Sequence, residues 1–213
     1  MAVAEFQLAE WRQLIFDLYR QVRVLAQSQP EQAWVLWHHE RSKLYGKHEM
    51  SPVSPDERDK FSGLAVFPYD PTLRFITKVE RQHGECVVYD LGSDGKLSVE
   101  PFAITKGLVD ALGKEITLYR LNGYGGGIFL PFKDATSGKN TYGGGRYLID
   151  TIKGADLGTD SDGRLVIDFN FAYSPSCAWS SQYVCPLAPV QNTLSQSIEA
   201  GEKTPKESFI SAA

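Results

Sequence analysis

From position 73 onward the chain carries no helical period. Its apolar residues come in short runs rich in β-branched and aromatic side chains, punctuated by glycine and aspartate. The runs predict strands over 73–80, 85–91, 97–105, 115–121, 127–132, 146–151 and 165–173, with an eighth over 194–199. Ser93-Asp94-Gly95, Asn122-Gly123 and Asp160-Ser161-Asp162-Gly163 supply turn residues tolerant of positive φ between them. The expected fold is mainly β within an α+β chain: an antiparallel β-barrel or sandwich of about seven to eight strands, with two N-terminal helices over an end or an edge. Nothing in the pattern supports a parallel α/β sheet.

Those helices are read from a different period. Phe6, Trp11, Leu14, Ile15, Leu18, Val22 and Leu25 recur at three- and four-residue steps, so 5–27 reads as an amphipathic helix. Ser28, Pro30 and Glu31 have capping-box spacing, which starts a second helix near Gln29 with an apolar face of Trp34, Trp37, Leu44 and Tyr45. The two stripes dock on the body of the protein or, as the alternative, on a second copy to make a homo-oligomer. His38, His39 and Glu40 fail the zinc-protease pattern because Lys43 stands where the second histidine is needed. No metal site is expected. Pro52, Pro55, Pro68 and Pro71 mark a packed connector. The expected organisation is a helical region 1–50, a β-rich domain 51–203 and a flexible tail 204–213.

Of 213 residues, 42% are hydrophobic, enough to bury roughly 70% of the surface an unfolded chain exposes. The net charge of −4 and the mixing of acids with bases provide no basic stripe for nucleic acid. No apolar run reaches the roughly 20 residues of a membrane span, and residues 1–28 lack a signal peptide's apolar centre, so the expected location is the cytoplasm. Phosphate-binding-loop, dinucleotide-fingerprint and hydrolase-elbow patterns are all incomplete.

Residues 132–189 concentrate glycine, tyrosine and polar residues beyond what a plain core requires. Tyr142-Gly143-Gly144-Gly145 runs into the strand that begins at Arg146, and such glycines either admit a ligand or form a bulge or bend. A period of two puts Asp168 and Asn170 on one strand face, about 6 to 7 Å apart, with Arg146 as a plausible partner for Asp168. On a cavity wall, Arg146 is an anion clamp and Asp168 its orienter or a general base; on a solvent face, they are an ordinary ion pair. Cys177 and Cys185 lie too far apart for a zinc knuckle and read as packed thiols or as a pair able to oxidise or attack.

SPVSPDERDKFSGLAVFPYDPTLRF, FLPFKDATSGKNTYGGGRYLID, IDFNFAYSPSCAWSSQYVCPLAP and SIEAGEK occur in order over 51–203. They resemble the family catalogued as domain of unknown function 1684, uncharacterised bacterial and archaeal proteins. The resemblance implies a signature of Asp134, Thr136, Gly138, Thr141, Tyr142, Arg146, Asp168, Asn170, Tyr173, Cys177 and Cys185. Ser174 and Ser180 depart from the family pattern, where asparagine is usual, and the N-terminal helical region is longer.

Together these features predict a small-molecule-binding or enzymatic barrel for a polar or anionic ligand. Asp168, Arg146 and Tyr142 are its catalytic candidates for acid–base or hydrolytic chemistry. Asp134, Thr136, Gly143, Gly144, Gly145, Asn170, Tyr173, Cys177 and Cys185 are its ligand contacts. The alternatives are a non-catalytic structural or interaction protein whose signature is a buried polar network, and a flavin-binding barrel. The cofactor is left unassigned.

Overall fold

The computed structural model describes residues 3–206. Two helices open the chain, α1 over Ala4–Leu25 and α2 over Pro30–Lys47. The expected Ser28 capping box does not form: α2 starts with Pro30 at its first turn, Gln29 is the N-cap, and no side chain caps it. Nor is the buried stripe of α2 the expected one. It is Ala33, Trp37, Arg41 and Tyr45, an i, i+4 row that places an arginine in the seam. Trp34 and Leu44 lie at its margin, and Phe6 of α1, expected on the apolar face, is 73% exposed. Trp37 Nε1 donates to Tyr19 Oη at 3.1 Å, pinning the two helices together.

Seven antiparallel strands follow: β1 Arg74–Arg81, β2 Val87–Asp90, β3 Lys96–Lys106, β4 Thr117–Asn122, β5 Gly127–Phe132, β6 Arg146–Asp150 and β7 Leu165–Asp168. The order is β6-β5-β4-β3-β1-β7, and β2 and β1 share the other edge of the long β3. Just beyond β7, Tyr173 and Tyr147 exchange both backbone hydrogen bonds, at 2.9 and 3.0 Å. That pair joins the two ends of the sheet into a nearly closed barrel, which removes most of the exposed edge.

Two strand expectations are corrected. The run 165–173 is a strand only to Asp168; the Asp168 carboxylate accepts the Asn170 N–H at 3.0 Å and turns Phe169–Phe171 into a 3-10 turn. Period-two bookkeeping therefore does not apply at Asn170. Residues 194–199 form no strand, because their backbone groups bond irregularly to the loop after β5, as in Leu194 N to Lys133 O at 2.8 Å and Ala135 N to Gln196 O at 3.0 Å.

One core joins the helices to the barrel: Ile15, Tyr19, Val22 and Trp37 pack with Val99, Tyr119, Phe129, Tyr147, Phe171 and Tyr173. Each such side chain contributes about 1.5–3 kcal/mol of burial. A second cluster, including Leu112, Ile116, Leu130, Phe132, Leu148, Phe169 and Ile198, lies under β3–β6 and the short helix α3, Val109–Leu112. Thr204 N bonds to Asn140 O at 2.9 Å and Pro205 is buried. From 207 on, the expected flexible tail lies outside the described residues. No helix among the described residues is long and apolar enough to cross a membrane.

Candidate functional site

The signature residues separate into three networks. Arg146, at the start of β6, is wholly buried, and its partner is Asp134, with Nη2 to Oδ2 at 2.9 Å. Its remaining bonds go to backbone carbonyls: Ala200 and Glu202 through Nη1, and Ile198 at 2.9 Å through Nη2. Asp134 also accepts from the N–H and hydroxyl of Thr136, whose Oγ1 lies 2.8 Å from that of Thr141. This knot fastens the loop after β5 to the segment 198–202. The expected Arg146–Asp168 pair does not exist. Burial lowers the Arg146 pKa against the pull of Asp134, and a wholly buried guanidinium already holding a carboxylate and three backbone carbonyls is not placed as a clamp for an incoming anion.

Asp168 pairs instead with Arg74, Oδ2 to Nη1 at 3.2 Å, and Arg74 also donates to Ala26 O at the end of α1. Asn170 is wholly buried and bonds both backbone groups of Asp70 at 2.8 Å, holding the connector to the barrel. Burial raises the Asp168 pKa, although the hydrogen bonds from Asn170 and the charge of Arg74 oppose it.

The third network contains Tyr142, Cys177 and Cys185. Tyr142 Oη donates to Cys177 Sγ at 3.5 Å, and the Cys177 N–H to Cys185 Sγ at 3.4 Å. Burial is the first cause pushing the Tyr142 phenol well above its usual pKa, so it is a donor and not a base at neutral pH. The glycines beside it serve the chain's own packing. A Cβ on Gly144 falls 2.3 Å from the Tyr142 ring, and one on Gly145, with φ +95, falls 2.5 Å from Phe132 O; Gly143 has ordinary room. What approaches closely at Gly145 is backbone. Asp168, Arg146 and Tyr142 thus do not converge on one reacting centre.

A cavity of about 460 Å³ lies elsewhere, between α1, α2, the barrel wall and the loop 174–189. Leu8, Trp11, Ile15, Leu97, Leu121, Phe129 and Ala155 provide its apolar wall, and Arg41, Tyr45, Asp150, Lys153, Tyr173, Ser174 and Cys185 its polar points. Of the sequence candidates, only Tyr173 and Cys185 reach it. Tyr173 and Ser174 are buried, and their hydroxyls have no hydrogen-bond partner among the described residues. Two of the lining cations are paired, Arg41 Nε with Glu202 Oε1 at 2.6 Å and Lys153 with Asp150 at 3.7 Å; the exposed Arg12 and Asp94 also line the cavity. Arg41 also donates to Tyr45 Oη at 2.8 Å and sits over the Tyr173 and Tyr45 rings, at 4.6 and 4.7 Å.

Sequence reasoning missed Arg41 and Glu202. The signal for Glu202 was its place in SIEAGEK; for Arg41, a charge in the row Ala33, Trp37, Tyr45 was the only cue. His38, part of the failed zinc-protease pattern, bonds Leu64 O through Nε2 at 2.8 Å and stacks on Trp34.

Among solved structures the chain is similar to the solution NMR structure of an uncharacterized protein from gene locus rrnAC0354 of Haloarcula marismortui. Identity is 31%, the TM-score is 0.53, and the match covers 80% of this chain and 91% of that one. No relative was found among curated proteins. Residues 59–203 match the family described as "Protein of unknown function (DUF1684)". With the signature, the barrel and that match in agreement, the chain belongs to the DUF1684 family.

Proposed function

We propose that this protein binds a small, mainly apolar molecule with one hydrogen-bonding end, in the cavity bounded by α1, α2 and the 174–189 loop. The observation that carries this reading is that two residues lining that cavity, Tyr173 and Ser174, each have a buried hydroxyl without a hydrogen-bond partner among the described residues. An unsatisfied buried hydroxyl costs roughly 1–3 kcal/mol, which a ligand's polar end offsets by bonding to it. A volume near 460 Å³ falls within the range of about 300–1,000 Å³ usual for small-molecule sites, and a mostly apolar wall with few polar points is their usual lining. Because Arg41 and Lys153 are each beside a carboxylate, and the third lining cation, Arg12, is solvent-exposed and matched by the lining acid Asp94, the wall favours a neutral polar end over an anion. The signature residues Arg146, Asp134, Asp168 and Asn170 serve in this reading as the frame that holds the cavity's loops. No reaction is assigned.

The test begins with native against denaturing mass spectrometry of the freshly purified protein, with a visible spectrum to check for flavin. Thermal shifts are then read with 1-decanol and with decanoate, on wild type and on Ala155→Leu, which narrows the cavity. The expected result is a rise in Tm with the alcohol, a smaller one with the carboxylate, and loss of both in a folded Ala155→Leu. A folded wild type that releases no bound species and shifts with neither compound defeats the reading. A yellow protein moves it to the flavin alternative.

A further inference from the structure

The two cysteines of the 174–189 loop have no part in the binding reading, yet they are neighbours. Both are free and half-buried, and the N–H of Cys177 donates to Cys185 Sγ at 3.4 Å. Of the two, Cys185 lies on the cavity wall and Cys177 does not; the Tyr142 hydroxyl donates to the Cys177 sulfur at 3.5 Å. One sulfur thus belongs to a residue of the cavity wall, and the other stands beside it, outside the lining. The segment carrying them has a single 3-10 turn, Ser176–Ala178, and no strand or α-helix to resist a small closure.

We propose that Cys185 and Cys177 are a reversible dithiol–disulfide pair, in which Cys185 attacks a low-molecular-weight disulfide arriving through the cavity and Cys177 resolves the product. The Cys185 thiolate bonds to one sulfur of the oxidant, whose S–S bond breaks and releases a thiolate. Cys177 then gives up its proton and attacks Cys185 Sγ, and the second thiolate leaves. The two protons from the cysteines go to the two released thiolates. Two electrons have passed from the protein's sulfurs to the oxidant, and a Cys177–Cys185 disulfide remains.

Electrostatics point the same way. The hydrogen bond from the Cys177 thiol is the first cause lowering the Cys185 pKa to about 6, helped by backbone N–H groups and Lys153; the same contact raises that of Cys177. The thiolate is therefore the sulfur on the cavity side. When Cys177 is called on to ionise, Tyr142 remains a phenol donor able to stabilise the new thiolate.

The test is equilibration of the full chain with glutathione mixtures of increasing oxidised fraction, followed by acid quench, alkylation and peptide mass mapping. Wild type is expected to lose about 2 Da in a two-electron transition, with peptides containing 177 and 185 joined. Cys177→Ser should stop at a glutathione adduct on Cys185, and Cys185→Ser should take glutathione at Cys177 about tenfold more slowly. The wild-type reading needs no variant to fold. Two free thiols at every ratio, or joining through the exposed Cys86 instead, overturns the pair; equal adducts at both positions overturn the assignment of the attacking sulfur. Absence of a ligand in the cavity leaves this result unchanged, so the two proposals fail separately.

Discussion

Arg41 of α2 and Glu202, 161 residues apart in sequence, form a buried ion pair with Nε and Oε1 at 2.6 Å. The other carboxylate oxygen of Glu202 accepts the Ser174 N–H at 2.9 Å. One acid thus joins the N-terminal helices to the loop that bounds the cavity. Burial opposes the Arg41 charge, but Glu202 and the Tyr45 and Tyr19 oxygens outweigh it and raise the Arg41 pKa.

Glu202→Gln leaves that guanidinium buried without its counter-ion and should cost about 3–5 kcal/mol in urea unfolding. Replacing both Arg41 and Glu202 by Met should cost less than the sum of the single changes. Strict additivity would show that the two groups are energetically independent.

Two glycines of the same run should respond differently to alanine. At Gly145 the φ of +95 and a Cβ 2.5 Å from Phe132 O demand a backbone shift, and the expected loss is about 2–3 kcal/mol. Gly143 has no positive φ and its nearest neighbour lies 3.6 Å away, so Gly143→Ala should change stability by at most about 0.5 kcal/mol. Equal melting temperatures for the two variants would contradict the packing described for Gly145.

Asp168→Asn removes the counter-charge from Arg74, whose own burial is substantial, and should lower stability by about 3 kcal/mol. Asn170→Ala strands both backbone groups of Asp70 and should cost a comparable amount. Thermal unfolding of the two variants checks this. An Asp168→Asn protein with wild-type Tm would return Asp168 to the role of a functional carboxylate.

Cys185 should be alkylated by iodoacetamide at neutral pH as a thiolate. With its pKa lowered to about 6, its deprotonated form dominates above that value, so the rate should level off there. Below it the rate falls about tenfold per pH unit as the thiol is protonated. Measured on Cys86→Ser, a profile still rising toward the ordinary thiol value of 9.0 would refute the lowered pKa.

Residues 51–213 contain the whole family match, yet the core at α1 and α2 is shared with the barrel. Removing Tyr19, Val22, Trp37 and their neighbours takes away more burial than the ~5–15 kcal/mol by which a domain of this kind is stable. We expect the truncated chain to lack cooperative unfolding by circular dichroism. A sharp transition near the full-length Tm would make the helices an appendage.

The elements themselves were legible in the sequence because local chemistry decides them. Period-two apolar runs closed by turn residues place β1 to β6 within a few residues, and the three- and four-residue steps place α1 and α2. Partners were not legible. Arg146 and Asp168 both looked like members of one pair, but Arg146 meets Asp134 and Asp168 meets Arg74, since which charges share a buried volume depends on how strands far apart in sequence are stacked. The end of β7 was decided likewise: nothing in the alternation of 165–173 announces that the Asp168 side chain captures the Asn170 N–H and bends the chain. The cavity is the extreme case, assembled from α1, α2, β-strand ends and the 174–189 loop, so no contiguous stretch contains its signature. Sequence alone determined the helices, the antiparallel barrel class and the family, through short-range propensity and motif order. Tertiary structure alone decided which partners the buried polar residues Arg146, Asp134, Asp168 and Asn170 meet and where the hollow lies, because burial and ion pairing are properties of the packed chain.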